Sequence, residues 1–146
     1  MNITPPTIYF VLYRFQAASS FLAEVSKAKE FNKAAIKAIN MVQLGYSIAY
    51  SVPNQLRAQG ETAYHDEGGV SCMSLLSTSG IEIHTWPDID TDGKVKGDDP
   101  GLGYACVQSC RDFHPESVMH VLIDIYNAKN IKLDKFYLKL DLSIET

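Results

Sequence analysis

Residues 71–88 read SCMSLLSTSGIEIHTWPD, and their reading decides the fold. Two apolar runs, 70–76 and 81–86, flank the turn-forming string Ser77-Thr78-Ser79-Gly80. That is the pattern of two strands joined by a tight turn. Side chains alternate along a strand, so Ile81, Ile83 and Thr85 point one way while Glu82, His84 and Trp86 point the other. His84 therefore shares a face with a glutamate rather than with the isoleucines. A solvated strand residue would show this pattern, and so would a general base, because histidine titrates near neutral pH. Ser79 sits in the turn beside Gly80. Serine is common in turns, but a glycine admits backbone conformations that other residues resist, and strained turns serve reactive sites.

Working outward, residues 8–15, IYFVLYRF, are aromatic and β-branched and predict a first strand. In residues 27–42 the apolar positions 31, 34, 35, 38, 39 and 42 recur at helical spacing opposite lysines, which predicts an amphipathic helix with Gly45 as its stop. Strands are expected over 46–52 and 103–108, and polar loops over 53–68 and 87–102. A second helix follows Pro115-Glu116, and FYLKLDL, 136–142, alternates as a last strand. The order strand, helix, strands, helix, strand predicts one α+β domain over 1–146. Its architecture is a two-layer sandwich, a mostly antiparallel sheet with two helices packed on one face.

With 146 residues, 46% hydrophobic and 21% charged, the chain matches one ordinary globular domain. A net charge of −4 gives no basic footprint for nucleic acid or an anionic membrane. No apolar run is long enough to span a bilayer, and MNITPPTIYF lacks the charge and apolar blocks of a signal peptide, so a cytoplasmic protein is expected. Three cysteines, Cys72, Cys106 and Cys110, argue against a disulfide framework, and nothing near them has zinc spacing. The loop DIDTDGKVKGDD, 88–99, carries acids at calcium-loop positions, with Gly93 sixth and Val95 eighth. No helix precedes it and its twelfth residue is Asp99, so it reads as an acid-rich turn and no metal is assigned.

Gly69-Val70-Ser71, Thr78-Ser79-Gly80, Ile83-His84-Thr85-Trp86-Pro87-Asp88, Tyr104-Ala105 and Ser109-Cys110 together resemble the self-processing region of prokaryotic S-adenosylmethionine decarboxylases. The spacings from Ser71 to Ser79 and from Ser79 to His84 fit that family. The resemblance implies that the Ser79 hydroxyl attacks the Thr78 carbonyl, turning an amide into an ester. A base, His84, removes the serine α-proton, and β-elimination followed by hydrolysis leaves a pyruvoyl group as the self-made cofactor at residue 79. Ser71 assists, and the products are residues 1–78 and 79–146. The pyruvoyl carbonyl would then condense with a substrate amine and take up the electrons left by departing carbon dioxide, with Cys110 reprotonating the substrate carbon. A homodimer, a small amino-acid-type substrate and polyamine (spermidine) biosynthesis are implied likewise.

The chain departs from the family pattern at several places. Thr78 replaces a glutamate, Gly80 a histidine and Arg111 a glycine; Cys110 lies two residues closer to the Tyr-Ala pair, and Val11-Leu12 lacks the usual first-strand acid. Tyr9, Phe10 and Tyr13 are candidates to face an adenine or a sulfonium. Glu82, Asp88 and Asp112 are candidates to hold a cationic substrate end. The alternatives are therefore a pyruvoyl decarboxylase of ornithine or arginine, or an unprocessed homologue acting as a binding or regulatory protein.

Overall fold

The computed structural model describes residues 4–52, 68–90 and 92–141. Six strands form one antiparallel sheet: β1 (Thr7–Ala18), β2 (Gln43–Ser51), β3 (Val70–Leu76), β4 (Ser79–Trp86), β5 (Pro100–Ser109) and β6 (Lys129–Lys139), in the spatial order β2-β3-β4-β5-β1-β6. A one-turn helix α1 (Ser19–Leu22) follows β1. Two longer helices, α2 (Val25–Ala38) and α3 (Pro115–Tyr126), complete the elements among the described residues. The architecture is the expected α+β sandwich.

The core lies between the longer helices and one face of the sheet. Val11, Tyr13, Phe15, Ile81, Ile83 and Val107 point inward and meet Phe31, Ala35, Val118, Leu122 and Tyr126, all buried. Burying side chains of this size stabilises by about 1.5–3 kcal/mol each against exposure. Asn32 is buried among them; its amide donates to Ser74 Oγ at 3.0 Å and to Cys72 Sγ at 3.4 Å, so a polar α2 residue is held under β3. Thr85 has a structural task. Its buried hydroxyl donates to the Leu22 carbonyl at 2.6 Å and accepts the Val70 N–H at 2.9 Å, tying β4 to α1 and β3.

Several boundaries differ from expectation for identifiable reasons. Helix α2 ends at Ala38, short of 42, because Asn40 turns left-handed (φ 54) while the N–H groups of Asn40 and Met41 bond back to Lys37 and Ile36. This is the Schellman closure, and asparagine tolerates it better than most residues. Gly45 (φ 72) is not the helix stop; it lies in the register shift of β2 between Leu44 and Ile48. The last strand begins at Lys129, seven residues before 136, because KNIKLDK is too polar to read as a strand. It is an edge strand, and its lysines blunt the edge against further pairing. The polar stretch 53–68 lies almost wholly outside the described residues.

The acid-rich loop folds back as a small hairpin with an Ile89–Val95 bridge. Asp90 Oδ1 accepts the N–H groups of Asp92 and Lys94, and Lys96 Nζ lies 3.4 Å from Asp88 Oδ2. Among the described residues no three His, Cys, Asp or Glu side chains converge to hold a metal. Buried Ser19 pins both ends of the loop: its hydroxyl donates to the Asp99 carbonyl and accepts the Asp88 N–H.

Candidate active site

The sheet has a second face that no helix among the described residues covers. The register places its side chains in three rows across the strands. Tyr50, Ser71, His84, Tyr104, Arg14 and Lys132 form the first; Ile48, Met73, Glu82, Cys106, Leu12 and Asp134 the second; Leu44, Leu75, Gly80, Gln108, Phe10 and Phe136 the third. The four expected site residues fall into two clusters at opposite ends of β4.

The first cluster is built by the β3–β4 pairing, which sets Ser71 opposite His84. Ser71 Oγ lies 2.8 Å from His84 Nδ1, and Glu82 Oε2, two residues back on the same face, lies 3.0 Å from His84 Nε2. The His84 ring stacks on Tyr104 at 6.2 Å and tilts against Trp86 at 6.5 Å. Burial, then the neighbouring Cys106 and Glu82, raises the Tyr104 phenol to about 12, so it stays a hydrogen-bond donor at neutral pH.

The second cluster is the β3–β4 turn with the end of β5. Ser77 and Thr78 are the two loop residues between the paired Leu76 and Ser79. Thr78 is left-handed, φ 57. A β-branched residue resists that conformation, at a cost of roughly 1–2 kcal/mol for its Cβ crowding the following carbonyl. Thr78 Oγ1 lies 2.9 Å from Cys110 Sγ and 2.7 Å from the Ser77 carbonyl oxygen, and its one proton is shared between these two acceptors. Ser79 Oγ accepts the Cys110 N–H at 3.3 Å and lies 3.9 Å from its sulfur. The hydrogen bond from Thr78 is the main influence that holds the Cys110 thiol below its ordinary value; burial opposes it, and Ser79 and Arg111 add to it. Burial instead pushes Cys72 and Cys106 up.

Cys110 should therefore be the thiol that iodoacetamide alkylates first. Its thiolate fraction grows as pH rises through a lowered midpoint, while the other two remain protonated. In the Ser79→Ala chain, Thr78→Val should move the alkylation midpoint upward; an unchanged midpoint would deny the Thr78 contact its effect. Peptide mapping across a pH series reads both.

Gly80 opens space beside this turn. A hollow of about 380 Å³ lies over it, walled by Met73, Leu75, Glu82, Cys106 and Gln108 and closed at one end by Thr78 and Ser79. A larger hollow of about 740 Å³ flanks the His84 cluster, walled by Trp86, Leu102, Tyr104, Arg14, Gln16 and Lys132.

A sequence model of S-adenosylmethionine decarboxylase matches residues 11–137. The chain belongs to the S-adenosylmethionine decarboxylase family. This makes it a decarboxylase-type protein, a carboxy-lyase by family. Its fold is similar to the crystal structure of the adenosylmethionine decarboxylase from Aquifex aeolicus VF5, at 19% identity and a TM-score of 0.58, covering 99% of this chain and 98% of that one. No curated protein sequence matches the chain significantly. No helix among the described residues is long and apolar enough to cross a membrane.

Within the family frame, several sequence candidates change standing. Tyr13 is core; its hydroxyl donates to the Pro115 carbonyl. Tyr9 tilts against Tyr137 on the helix side, and only Phe10, stacked on Phe136, reaches the open face. Asp112 is engaged by Lys135, which holds its carboxyl below the usual range. Asp88 pairs with Lys96 and Glu82 with His84. Tyr104, Arg14 and Lys132 were missed as part of the site. The register that aligns them with His84 depends on β1, distant in sequence, and is not visible in local patterning.

Proposed function

We propose that this chain is a self-processing, pyruvoyl-dependent decarboxylase that cuts itself between Thr78 and Ser79. The observation that carries this reading is the left-handed Thr78 immediately before a serine whose hydroxyl lies against Cys110. Breaking the 78–79 amide releases the strain at Thr78, and the hollow over Gly80 leaves room beside residue 79. Once formed, a pyruvoyl group at position 79 would supply an electron-accepting carbonyl for a substrate amine. Cys110, partly exposed with a lowered thiol, is placed to move a proton beside that position. In this reading His84 and Ser71 accept the proton that leaves the Ser79 α-carbon.

They do not reach it within one chain. Five residues of strand separate Ser79 from His84, about 16–17 Å between Cα atoms at 3.2–3.4 Å per residue. The reading therefore requires a homodimer packed through the open face. Packed sheets lie about 10 Å apart, and a two-fold axis crossing β4 midway between the clusters sets His84 of each protomer over the backbone of the Thr78–Ser79 turn of the other. The composition of the face supports this. Leu44, Ile48, Tyr50, Leu75, Leu102 and Phe136 are all exposed on it, at 49–71%, and so many exposed large apolar side chains on one face mark an association surface.

The substrate we propose is S-adenosylmethionine, with polyamine synthesis as the purpose. In the face-to-face pair the larger hollow lies beside the partner's Ser79. Trp86 and Tyr104 offer it aromatic walls, and Gln16 adds polar groups. That suits an uncharged adenosine. Lys132 at the rim disfavours the cationic far end of ornithine or arginine, while Arg14 is paired with Asp134 at 3.1 Å. Processed protein should release carbon dioxide from carboxyl-labelled S-adenosylmethionine. Release from ornithine or arginine alone would reject the substrate and keep the chemistry.

A further inference from the structure

We propose that Glu82 is a positioning residue that selects which nitrogen of His84 acts as the base. The inference rests on the self-processing reading, and it adds a residue that the family resemblance did not supply. Glu82 and His84 stand two apart on β4, facing the same side, and each side chain is about a third exposed (32% for both). The imidazole is held at both nitrogens: Nε2 lies 3.0 Å from Glu82 Oε2, and Nδ1 lies 2.8 Å from Ser71 Oγ.

A carboxylate only accepts hydrogen bonds, so its contact with Nε2 places the ring proton there. Nδ1 then carries the lone pair and accepts the Ser71 hydroxyl proton. A histidine with neither neighbour charged exchanges freely between tautomers, and one of them would present an N–H where the lone pair is needed. The same logic governs carboxylate–histidine pairs in hydrolases, where the acid orients the ring and steadies the imidazolium without itself taking the proton. Here the ledger is simple. Ser71 passes its proton to Nδ1 as its oxygen takes up the one leaving the Ser79 α-carbon of the other protomer; the ring becomes an imidazolium with two N–H donors, and Glu82 and Ser71 accept one each. The cross-strand neighbours of Glu82 on either side are Met73 and Cys106, so His84 is the one side chain its carboxylate bonds among the described residues. Covered by a second copy, that carboxylate would be costly to bury alone; the imidazole N–H gives it a hydrogen-bond partner.

Two measurements test the proposal. The first is 15N NMR of the uncleaved Ser79→Ala chain above the histidine titration range, with His84 identified among the four histidines by its loss in His84→Gln. Nε2 should be pyrrole-like and Nδ1 pyridine-like, and adding Glu82→Ala should move both signals toward a tautomer mixture. The second is the self-cleavage rate in the otherwise native sequence. Glu82→Ala should slow it about 10- to 100-fold, the effect usual for a partner that orients a working histidine. Glu82→Gln, whose amide oxygen still accepts from Nε2–H, should recover part of the loss. Unchanged signals without Glu82, or a Glu82→Ala chain that cleaves at the native rate, would each overturn the proposal. If the native chain never cleaves, the function reading falls, and the NMR result alone decides what Glu82 does.

Discussion

Purified protein is expected to resolve into two pieces, residues 1–78 and 79–146, while the Ser79→Ala chain stays whole. The Ser79 oxygen replaces the amide nitrogen on the Thr78 carbonyl. Loss of the α-proton then expels that carboxylate, and hydrolysis of what remains releases ammonia. An intact mass spectrum should therefore show a normal carboxyl end on the first piece. The second piece should be lighter than a serine-ended one by one ammonia. Thr78→Gly should cleave more slowly, by up to about thirtyfold, since glycine adopts φ 57 without the roughly 1–2 kcal/mol that threonine stores there. A native chain that stays intact through long incubation would reject the pyruvoyl chemistry and favour an unprocessed homologue that binds rather than catalyses.

The second large effect is complementation between two inactive chains. Alone, His84→Ala lacks its base and Ser79→Ala lacks its hydroxyl. If the working site joins Ser79 of one protomer to His84 of the other, co-expression should restore cutting, and only of the His84→Ala chain. With equal amounts and random pairing, about half of those chains sit in mixed dimers and become cleavable. No cutting in the mixture, with dimers demonstrated by light scattering, would disprove the shared site. So would a wild-type protein that cleaves as a monomer.

The hairpin at 70–86 was legible because period-two alternation and a turn string are local signals, and the polar face of β4 followed from parity alone. Parity also hid something. Alternation put Glu82 and His84 on one face without showing that they touch, and it could not show how far His84 stands from Ser79. The division of Ser71–His84 from Ser79–Cys110 is a matter of strand length, 3.2–3.4 Å at a time. Linear spacing suggests nearness where a strand imposes distance. Tyr104, Arg14 and Lys132 join His84 only through the β5–β1–β6 register, which is set by contacts remote in sequence. Tyr13 misled because an aromatic strand residue looks the same from sequence whether it faces a ligand or the core.

The strand order has a consequence for the life of the molecule after cutting. The first piece carries β1, β2 and β3, and the second carries β4, β5 and β6, so the order β2-β3-β4-β5-β1-β6 interleaves them, with β1 gripped between two strands of the other piece. A nick at 78–79 therefore sheds nothing. Three strand seams would have to open together before the halves parted. Before the nick, folding is unimolecular and repeatable; after it, refolding is an encounter between two separate chains whose success depends on their concentration. If the cut is made, the fold becomes a one-time assembly, and a cut molecule that melts in dilute solution has no unimolecular way back.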